Sequence, residues 1–296
     1  MKRPPVTFHV GLIKTGTSWL KSHVFSRMKG ISYFAADESF RDFIDQIDPR
    51  LPMLVSNEDL SGRNPFAGEY RRARLRALQN LADIFPESRL LIFFREPSLW
   101  LTSLYRQYIL EGGCDAWSSF SARWLQSGAL DFDDLLTKIR SMNFSEILAL
   151  DHADLVERQS QTLRVVSDFV GCDALDMSEF DRVARRKVGV RNNAAKLLLF
   201  MNRNQITGAR DMIRKWPFRL LNGCGDDIFP SQDLGEIKEL YRDMWQRVRG
   251  SFLTDPVVSF QSEHSCHSRL DSTEQIASEP ARCDQVVDDQ RWLRSS

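Results

Sequence analysis

Residues 8–20 read FHVGLIKTGTSWL, and this stretch decides the predicted fold. An apolar run typical of a buried strand leads into a glycine-bearing turn and then into a helical pattern. In such a unit the unpaired backbone N–H groups and the positive end of the helix dipole converge on one point. The sequence therefore predicts an anion-binding loop around Gly16, Thr17 and Ser18.

The loop follows the spacing of nucleotide-triphosphate loops with one change. The template G-x-x-x-x-G-K-[ST] is matched at Gly11, Gly16 and Ser18. Thr17 stands where the lysine belongs, and the lysine of this loop is Lys14 instead. Since that lysine contacts the β- and γ-phosphates in kinases and ATPases, its displacement argues against ordinary triphosphate chemistry. A different phosphate-bearing donor is favoured.

A second motif follows a second apolar strand. Residues 88–106 read SRLLIFFREPSLWLTSLYR, in which the strand runs into Arg95 and Ser103 follows eight residues later. Together with KTGTSWL at 14–20, this pattern resembles the sulfotransferases that use 3′-phosphoadenosine-5′-phosphosulfate (PAPS). The first motif is similar to the 5′-phosphosulfate loop of that family, and the second to its 3′-phosphate site. Both motifs follow predicted strand ends, where open α/β sheets bind their ligands.

The resemblance implies a role for each matching residue. Lys14 would meet the negative charge that develops on the departing phosphate, and Arg95 and Ser103 would hold the 3′-phosphate. Ser103 would also keep Lys14 away from the sulfate until the acceptor arrives, and Trp19 would stack on the adenine. No step needs a metal, and 3′-phosphoadenosine-5′-phosphate (PAP) would be the product. The residues assigned to the PAPS site in this way are Lys14, Thr15, Gly16, Thr17, Ser18, Trp19, Arg95 and Ser103.

A carboxylate pair follows a further short apolar strand. Residues 51–61 read LPMLVSNEDLS, with Glu58 and Asp59 just after the apolar run. In members of the family that act on carbohydrates or proteins, a Glu beyond the second main strand deprotonates the acceptor hydroxyl. The resemblance therefore makes Glu58 the candidate general base, with Asp59 as the second choice. A helix-capping or solvated Glu is the alternative interpretation.

A basic segment at 184–191, ARRKVGVR, stands where the family has a late loop that closes over the nucleotide. Arg185, Arg186, Lys187 and Arg191 would add charge-assisted contacts to the 3′-phosphate. A solvated helix end explains the same residues equally well.

The histidines offer no counterpart to the histidine base of the family's hydroxysteroid and phenol branch. His9 lies within the first strand and is interpreted as packed there, and His152 is interpreted as structural. His264, Cys266 and His267 form the run HSCH. Three donors so close together, without a distant partner, are weak evidence for a metal site, and no metal is predicted.

Composition places the chain among folded enzymes. It has 296 residues, 42% of them hydrophobic, and a formal net charge of zero, which suffices for one large domain at 1–258. Beyond it, 259–296 is polar and aperiodic, and we expect a poorly ordered tail. The neutral balance argues against nucleic-acid binding. Five cysteines without C-x-x-C spacing, no apolar run long enough to span a bilayer and no signal-peptide pattern favour a cytoplasmic enzyme.

Alternating strand and helix patterns predict an α/β fold, with helices on both faces of a central parallel sheet. Strands are predicted near 6–12, 53–57, 89–94 and 146–150, and helices at 16–29, 71–85, 154–170, 194–204 and 234–252. Four arginines of the second helix, Arg71, Arg72, Arg74 and Arg76, are expected on a solvated face. The resemblance makes this a P-loop-like, three-layer α/β/α domain.

The function that follows is transfer of a sulfuryl group from PAPS to a hydroxyl of a carbohydrate, a glycolipid or a small natural product. Two alternatives stay open. One is a small-molecule kinase with a degenerate loop, in which Asp59 or Asp151 would hold Mg²⁺. The other is a catalytically silent module that binds the nucleotide. The sequence does not predict an oligomeric state or the identity of the acceptor.

Overall fold

The structure, a computed structural model, describes residues 4–35, 48–61, 70–172, 192–206, 208 and 228–254. The chain divides into two units, Met1–Phe260 and Gln261–Ser296, of which the second lies outside the described residues. The basic segment at 184–191 and the run HSCH also lie outside them. The predictions made for these parts therefore stay predictions.

A five-stranded sheet forms the centre of the first unit, with every strand pair parallel. The strands are β1 Val6–His9, β2 Ser32–Ala35, β3 Met53–Ser56, β4 Arg89–Phe94 and β5 Glu146–Asp151. Their order in the sheet is β2-β3-β1-β4-β5, so the first strand lies in the middle. This confirms the predicted α/β fold with a central parallel sheet.

Helices cover both faces of this sheet. The chain segment after β1 is helical from Thr17 to Arg27, although it changes type twice. It starts as α1 Thr17–Trp19, continues as a π-helix over Leu20–Val24 and ends as a 3-10 turn over Phe25–Arg27. The remaining helices are α2 Tyr70–Ile84, α3 Pro97–Leu110, α4 Trp117–Gln126, α5 Phe132–Arg140, α6 His152–Glu157, α7 Gln159–Val170, α8 Asn192–Arg203, α9 Ser231–Leu240 and α10 Arg242–Thr254.

The side chains of β4 show why the sheet has a helical layer on each side. Leu90, Ile92 and Phe94 belong to a core cluster shared with α2 to α5 and α8 to α10. Leu91 and Phe93, which point the other way, belong to a second cluster with the helical segment after β1 and with α6 and α7. A strand that is buried on both faces reads as a continuous apolar run, which is how residues 90–94 read.

Several elements differ from the sequence prediction. The segment predicted as one helix at 234–252 is two helices, α9 and α10, and α3, α4 and α5 were not predicted. β2 was not predicted, because it is a four-residue strand at the edge of the sheet, and short edge strands carry little apolar periodicity. The helix predicted from 154 is two helices, α6 and α7, separated at Arg158, where φ is −125°. The N-cap of α6 is Asp151, whose Oδ1 accepts from the backbone N–H of Ala153 at 2.8 Å. The predicted end at Gly171 is confirmed, with φ +79°.

Arg74 contradicts the solvated face expected for α2. Its side chain is 1% exposed, and its guanidinium carbon lies 4.1 Å from the ring centroid of Tyr70 and 5.7 Å from that of Trp100. Within the described part of the chain, its Nε and Nη2 have no hydrogen-bond partner. A buried cation is therefore compensated by two aromatic faces, which contribute about 2 kcal/mol when desolvated.

We predict that Arg74→Met leaves the free energy of unfolding unchanged or raises it by about 1–3 kcal/mol. Methionine fills similar space and removes a charge whose burial costs several kcal/mol. Arg74→Ala, which leaves a cavity, should lower the free energy of unfolding by about 2–4 kcal/mol. Urea denaturation of the two variants measures the difference. A loss of more than about 2 kcal/mol in Arg74→Met would mean that the cation–π contacts outweigh the burial penalty.

Candidate active site

The loop after β1 is closely packed around two glycines. A Cβ on Gly11 would clash with Thr17 Oγ1, so no side chain fits there. Gly16 has φ +89°, in the left-handed region that glycine adopts most readily. Thr15 is fully buried and its hydroxyl donates to the carbonyl of Leu12. The hydroxyl of Thr15 is therefore used within the loop. Thr15 would contact a ligand through its backbone.

Lys14 joins this loop to the end of β4 and to α3. Its backbone has φ +67°, an uncommon conformation for a residue with a side chain. Its carbonyl accepts a hydrogen bond from Nη1 of Arg95 at 3.1 Å. Its ammonium donates to Oε1 of Gln107 at 3.4 Å. The residues predicted to bind the two ends of one nucleotide are thus in direct contact.

The first turn of α3 is fixed by hydrogen bonds of two side chains, those of Glu96 and Trp100. Glu96 caps the helix, accepting from the backbone N–H groups of Ser98 at 3.1 Å and Leu99 at 2.9 Å. One turn later, the indole N–H of Trp100 donates to the carbonyl of Ile13 at 2.7 Å. Trp100 therefore fixes the loop at Ile13, the residue before Lys14.

Ser103 lies on the same helix, partly buried and one turn before Gln107. The ammonium of Lys14 donates to Gln107, a contact that sequence reasoning did not identify. Both roles predicted for Ser103, holding Lys14 aside and contacting the 3′-phosphate, stay predictions.

Arg95 is a partly buried cation with charges of both signs nearby. Burial lowers the pKa of its guanidinium, the charge of Arg106 lowers it further, and Glu96 and Asp151 raise it. Its Nε is buried and has no hydrogen-bond partner among the described residues. A partly buried cation with an unused donor and a like charge nearby is stabilised by an anion.

The candidate base follows β3, which pairs with β1. The last residues of these strands are linked by a hydrogen bond between His9 Nδ1 and Ser56 Oγ at 2.8 Å, and the N–H of Asn57 donates to the carbonyl of His9 at 3.1 Å. Glu58 comes next and begins a 3-10 turn, Glu58–Ser61, with its side chain partly buried. The structure thus places Glu58 at the same edge of the sheet as the loop. The side chain of Asp59 lies outside what is described.

His152 is a site residue that sequence reasoning assigned to a structural role. It is the first residue of α6, at the end of β5, and a Cβ on Gly16 would lie 3.5 Å from its Cδ2 and 3.7 Å from its Nε2. An imidazole therefore borders the anion-binding loop. No sequence pattern could have indicated this contact, because it joins segments more than 130 residues apart through the sheet.

Asp151 has a structural task. Its Oδ1 caps α6 through the N–H of Ala153 at 2.8 Å, and its Oδ2 lies 3.2 Å from Nε of Arg249. Burial raises its pKa, although the hydrogen bond from Ala153 and the charge of Arg249 act in the opposite direction. Both oxygens are engaged, which disfavours the magnesium-ligand role of the kinase alternative. Within the described part of the chain, no three His, Cys, Asp or Glu side chains cluster as metal ligands would.

Trp19 lies at the start of the helical segment, and its ring stacks on that of His23 with centroids 6.1 Å apart and planes 15° apart. It also packs against the second core cluster. Its indole N–H is buried without a hydrogen-bond partner among the described residues. Adenine stacking on Trp19 stays a prediction.

The loop fits an anionic group. Thr17 Oγ1 is buried and has no hydrogen-bond partner within the described residues, and the adjoining N–H groups of Thr17 and Ser18 begin a helix, where intrahelical acceptors are lacking. Buried polar atoms are nearly always satisfied in a working protein. A phosphate or phosphosulfate oxygen would satisfy these donors together with Lys14 and Arg95.

The described helices include none with the length and apolar character needed to cross a bilayer. No protein-family model matches the sequence, and no curated protein matches it. Among solved structures, a mouse sulfotransferase, SULT7A1 complexed with PAP, is similar, with 16% identity, a TM-score of 0.43 and coverage of 83% of this chain and 89% of that chain.

A sulfotransferase from Alicyclobacillus acidocaldarius is also similar, with 13% identity, a TM-score of 0.43 and coverage of 75% of this chain and all of that chain, 100%. Both TM-scores are too low to indicate a function for this protein.

His9 generates a prediction about pH. Burial, aided by the charge of Lys21, lowers its pKa from 6.5 to about 3. Above pH 6.5 the ring is neutral in the folded and unfolded states. Between pH 6.5 and 3 the unfolded chain takes up a proton that the folded protein excludes, so stability falls as pH falls. We expect His9 to account for about 2 kcal/mol of lost unfolding free energy at pH 5.

Urea denaturation at pH 7.5 and pH 5 tests this in the wild type and in His9→Asn, which keeps a polar group facing Ser56. The difference between the two pH values should shrink by about 2 kcal/mol in His9→Asn. An equal pH dependence in the wild type and His9→Asn would show that His9 is not the group responsible.

Proposed function

We propose that this protein is a PAPS-dependent sulfotransferase, which moves a sulfuryl group from PAPS to a hydroxyl of an acceptor. The observation that carries the proposal is the hydrogen bond from Arg95 Nη1 to the carbonyl of Lys14 at 3.1 Å. It connects two motifs, 81 residues apart, that the sequence assigns to opposite ends of the same nucleotide. A donor with phosphates at both the 5′ and the 3′ positions suits that adjacency.

The chemistry requires in-line attack of the acceptor oxygen on sulfur. The new oxygen–sulfur bond forms as the bond between sulfur and the bridging oxygen breaks, and PAP departs. Lys14 and the N–H groups at Gly16 and Thr17 would stabilise the charge that develops on that bridging oxygen. Glu58, at the adjacent strand end, would accept the proton of the hydroxyl.

Gln107 gives Lys14 a resting position. The ammonium of Lys14 donates to Oε1 of Gln107 at 3.4 Å, and this acceptor is a neutral amide. Exchanging that hydrogen bond for one to the phosphosulfate is favourable, because hydrogen bonds between charged groups are roughly twice as strong.

The acceptor follows from analogy rather than from the described residues. A carboxylate base at the position of Glu58 is found in family members that act on carbohydrates, which favours a carbohydrate or glycolipid hydroxyl. A small hydroxylated natural product is the second candidate. Arg185, Arg186 and Lys187 are proposed to add contacts to the nucleotide. A cytoplasmic location is a separate proposal.

The first prediction concerns the donor. Calorimetric titration of the full chain without metal should show micromolar or tighter binding of PAP and at least about tenfold weaker binding of adenosine 5′-phosphate, because Arg95 would lose its phosphate partner. Mg·ATP is the third ligand. Tighter binding of Mg·ATP than of PAP would overturn the sulfotransferase proposal in favour of a kinase.

The second prediction concerns catalysis, measured as PAP release from PAPS with a panel of sugar glycosides, glycolipids and phenols. Glu58→Gln should lower kcat by roughly 100-fold or more while PAP affinity stays within a few-fold, because a base acts on the acceptor and not on the donor. Lys14→Ala should lower kcat by a similar factor, since it stabilises charge in the transition state.

Lys29→Ala and Glu236→Gln are the matched controls, as both side chains are exposed, and both should turn over normally. If Glu58→Gln also turned over normally, Glu58 would lose the role of base and Asp59 would be tested next. If PAP bound tightly but no acceptor in the panel released it, the binding-module alternative would gain support.

A further inference from the structure

Arg106 is a cation of α3 that the proposed reaction does not use. It lies three residues after Ser103, and residues three apart are neighbours on a helix surface. The contacts of Trp100 with Ile13 and of Gln107 with Lys14 show that this part of α3 adjoins the loop. Arg106 is thus placed next to the side of α3 that meets the anion-binding residues.

The guanidinium of Arg106 is held in place by an aromatic ring. Its central carbon lies 5.1 Å from the ring centroid of Phe229, which is within the range of a cation–π contact. Phe229 is itself fixed, at 2% exposure, by Trp117 and Tyr105, with centroids 4.8 Å and 5.9 Å away. A long side chain anchored in this way presents its donors with less loss of conformational entropy than a free one.

Arg106 and Arg95 form a pair of like charges. The charge of Arg106 contributes to the lowered pKa of Arg95, next to the effect of burial. An anion that meets both guanidinium groups would be stabilised by both charges. The buried Nε of Arg95, which has no hydrogen-bond partner in the described part of the chain, is one donor ready for such an anion.

We propose that Arg106 is a second guanidinium of the donor's 3′-phosphate site and that, with Arg95 and Ser103, it selects a phosphate monoester at that position. The inference rests on the proposed function, since it names a ligand of the same nucleotide. It adds a residue that lies outside the two sequence motifs matched to the donor.

A phosphate monoester is the anion that suits two arginines. It carries a charge between −1.5 and −2 at neutral pH and has three acceptor oxygens, and each guanidinium offers a planar fork of N–H donors. The hydroxyl of Ser103, one turn before Arg106 on α3, would add a further donor.

The test is a set of calorimetric titrations of the full chain with PAP and with adenosine 5′-phosphate, which differ only in the 3′-phosphate. Arg106→Gln should weaken PAP binding by about 10- to 100-fold, as expected for the loss of charge-assisted bonds. Its affinity for adenosine 5′-phosphate should stay within about twofold of the wild type, because that nucleotide lacks the 3′-phosphate that Arg106 would contact.

Two further variants calibrate the result. Arg106→Lys keeps the charge but loses the fork, so an intermediate loss of PAP affinity is expected. Arg76→Gln makes the same change at an exposed arginine of α2 and should bind both nucleotides like the wild type. Circular dichroism and thermal melting establish that each variant is folded. If Arg106→Gln fails to fold, the comparison of Arg106→Lys with the wild type decides instead.

Three outcomes would overturn the inference. Wild-type PAP affinity in Arg106→Gln would show that Arg106 is not a ligand, while the proposed function would stand on the wild type's own preference for the 3′-phosphate. An equal loss for both nucleotides would place the effect elsewhere than at that phosphate. A wild type that does not prefer PAP over adenosine 5′-phosphate would remove the proposed function and this inference together.

Discussion

The conformation of the backbone at Lys14 is the constraint on which the rest of the site depends. A residue with a side chain at φ +67° costs on the order of 1 kcal/mol or more and persists only where its surroundings enforce it. Here Arg95 binds the carbonyl of Lys14 at 3.1 Å, and Trp100 binds the preceding carbonyl, that of Ile13, at 2.7 Å. The strained turn after β1 is therefore held by two donors from β4 and α3, those of Arg95 and Trp100.

The features that the sequence predicts well are those determined close to where they occur. The loop at 11–18 and the arginine after β4 could be predicted from apolar runs that end in glycine or in a charged residue. The end of a strand is determined by the residues next to it in the sequence. Four of the five strands and the parallel arrangement follow from the same patterns. β2 does not, since a four-residue edge strand shows neither clear alternation nor a long apolar run.

The features that the sequence does not predict depend on which side chains meet in space. Lys14 bonds to Gln107, 93 residues later, and the ring of His152 borders Gly16. In both cases the partner is an ordinary polar residue on a helix, and only the order of the strands brings it to the loop. Arg74 was assigned to a solvated face because charge is the usual mark of exposure. It is buried because aromatic faces receive it, which hydrophobic periodicity does not record.

The helical segment after the loop has one more consequence. Its five-residue π-helix, Leu20–Val24, holds an extra residue relative to a regular α-helix, and it brings Leu20, Val24 and Phe25 all to complete burial, at 0% exposure. Both ends of the segment are fixed, one by the loop and the other by the core around Phe25. The wider turn of the π-helix takes up this residue within the segment, so neither end has to move. The loop and the buried core around Phe25 therefore keep their register relative to each other.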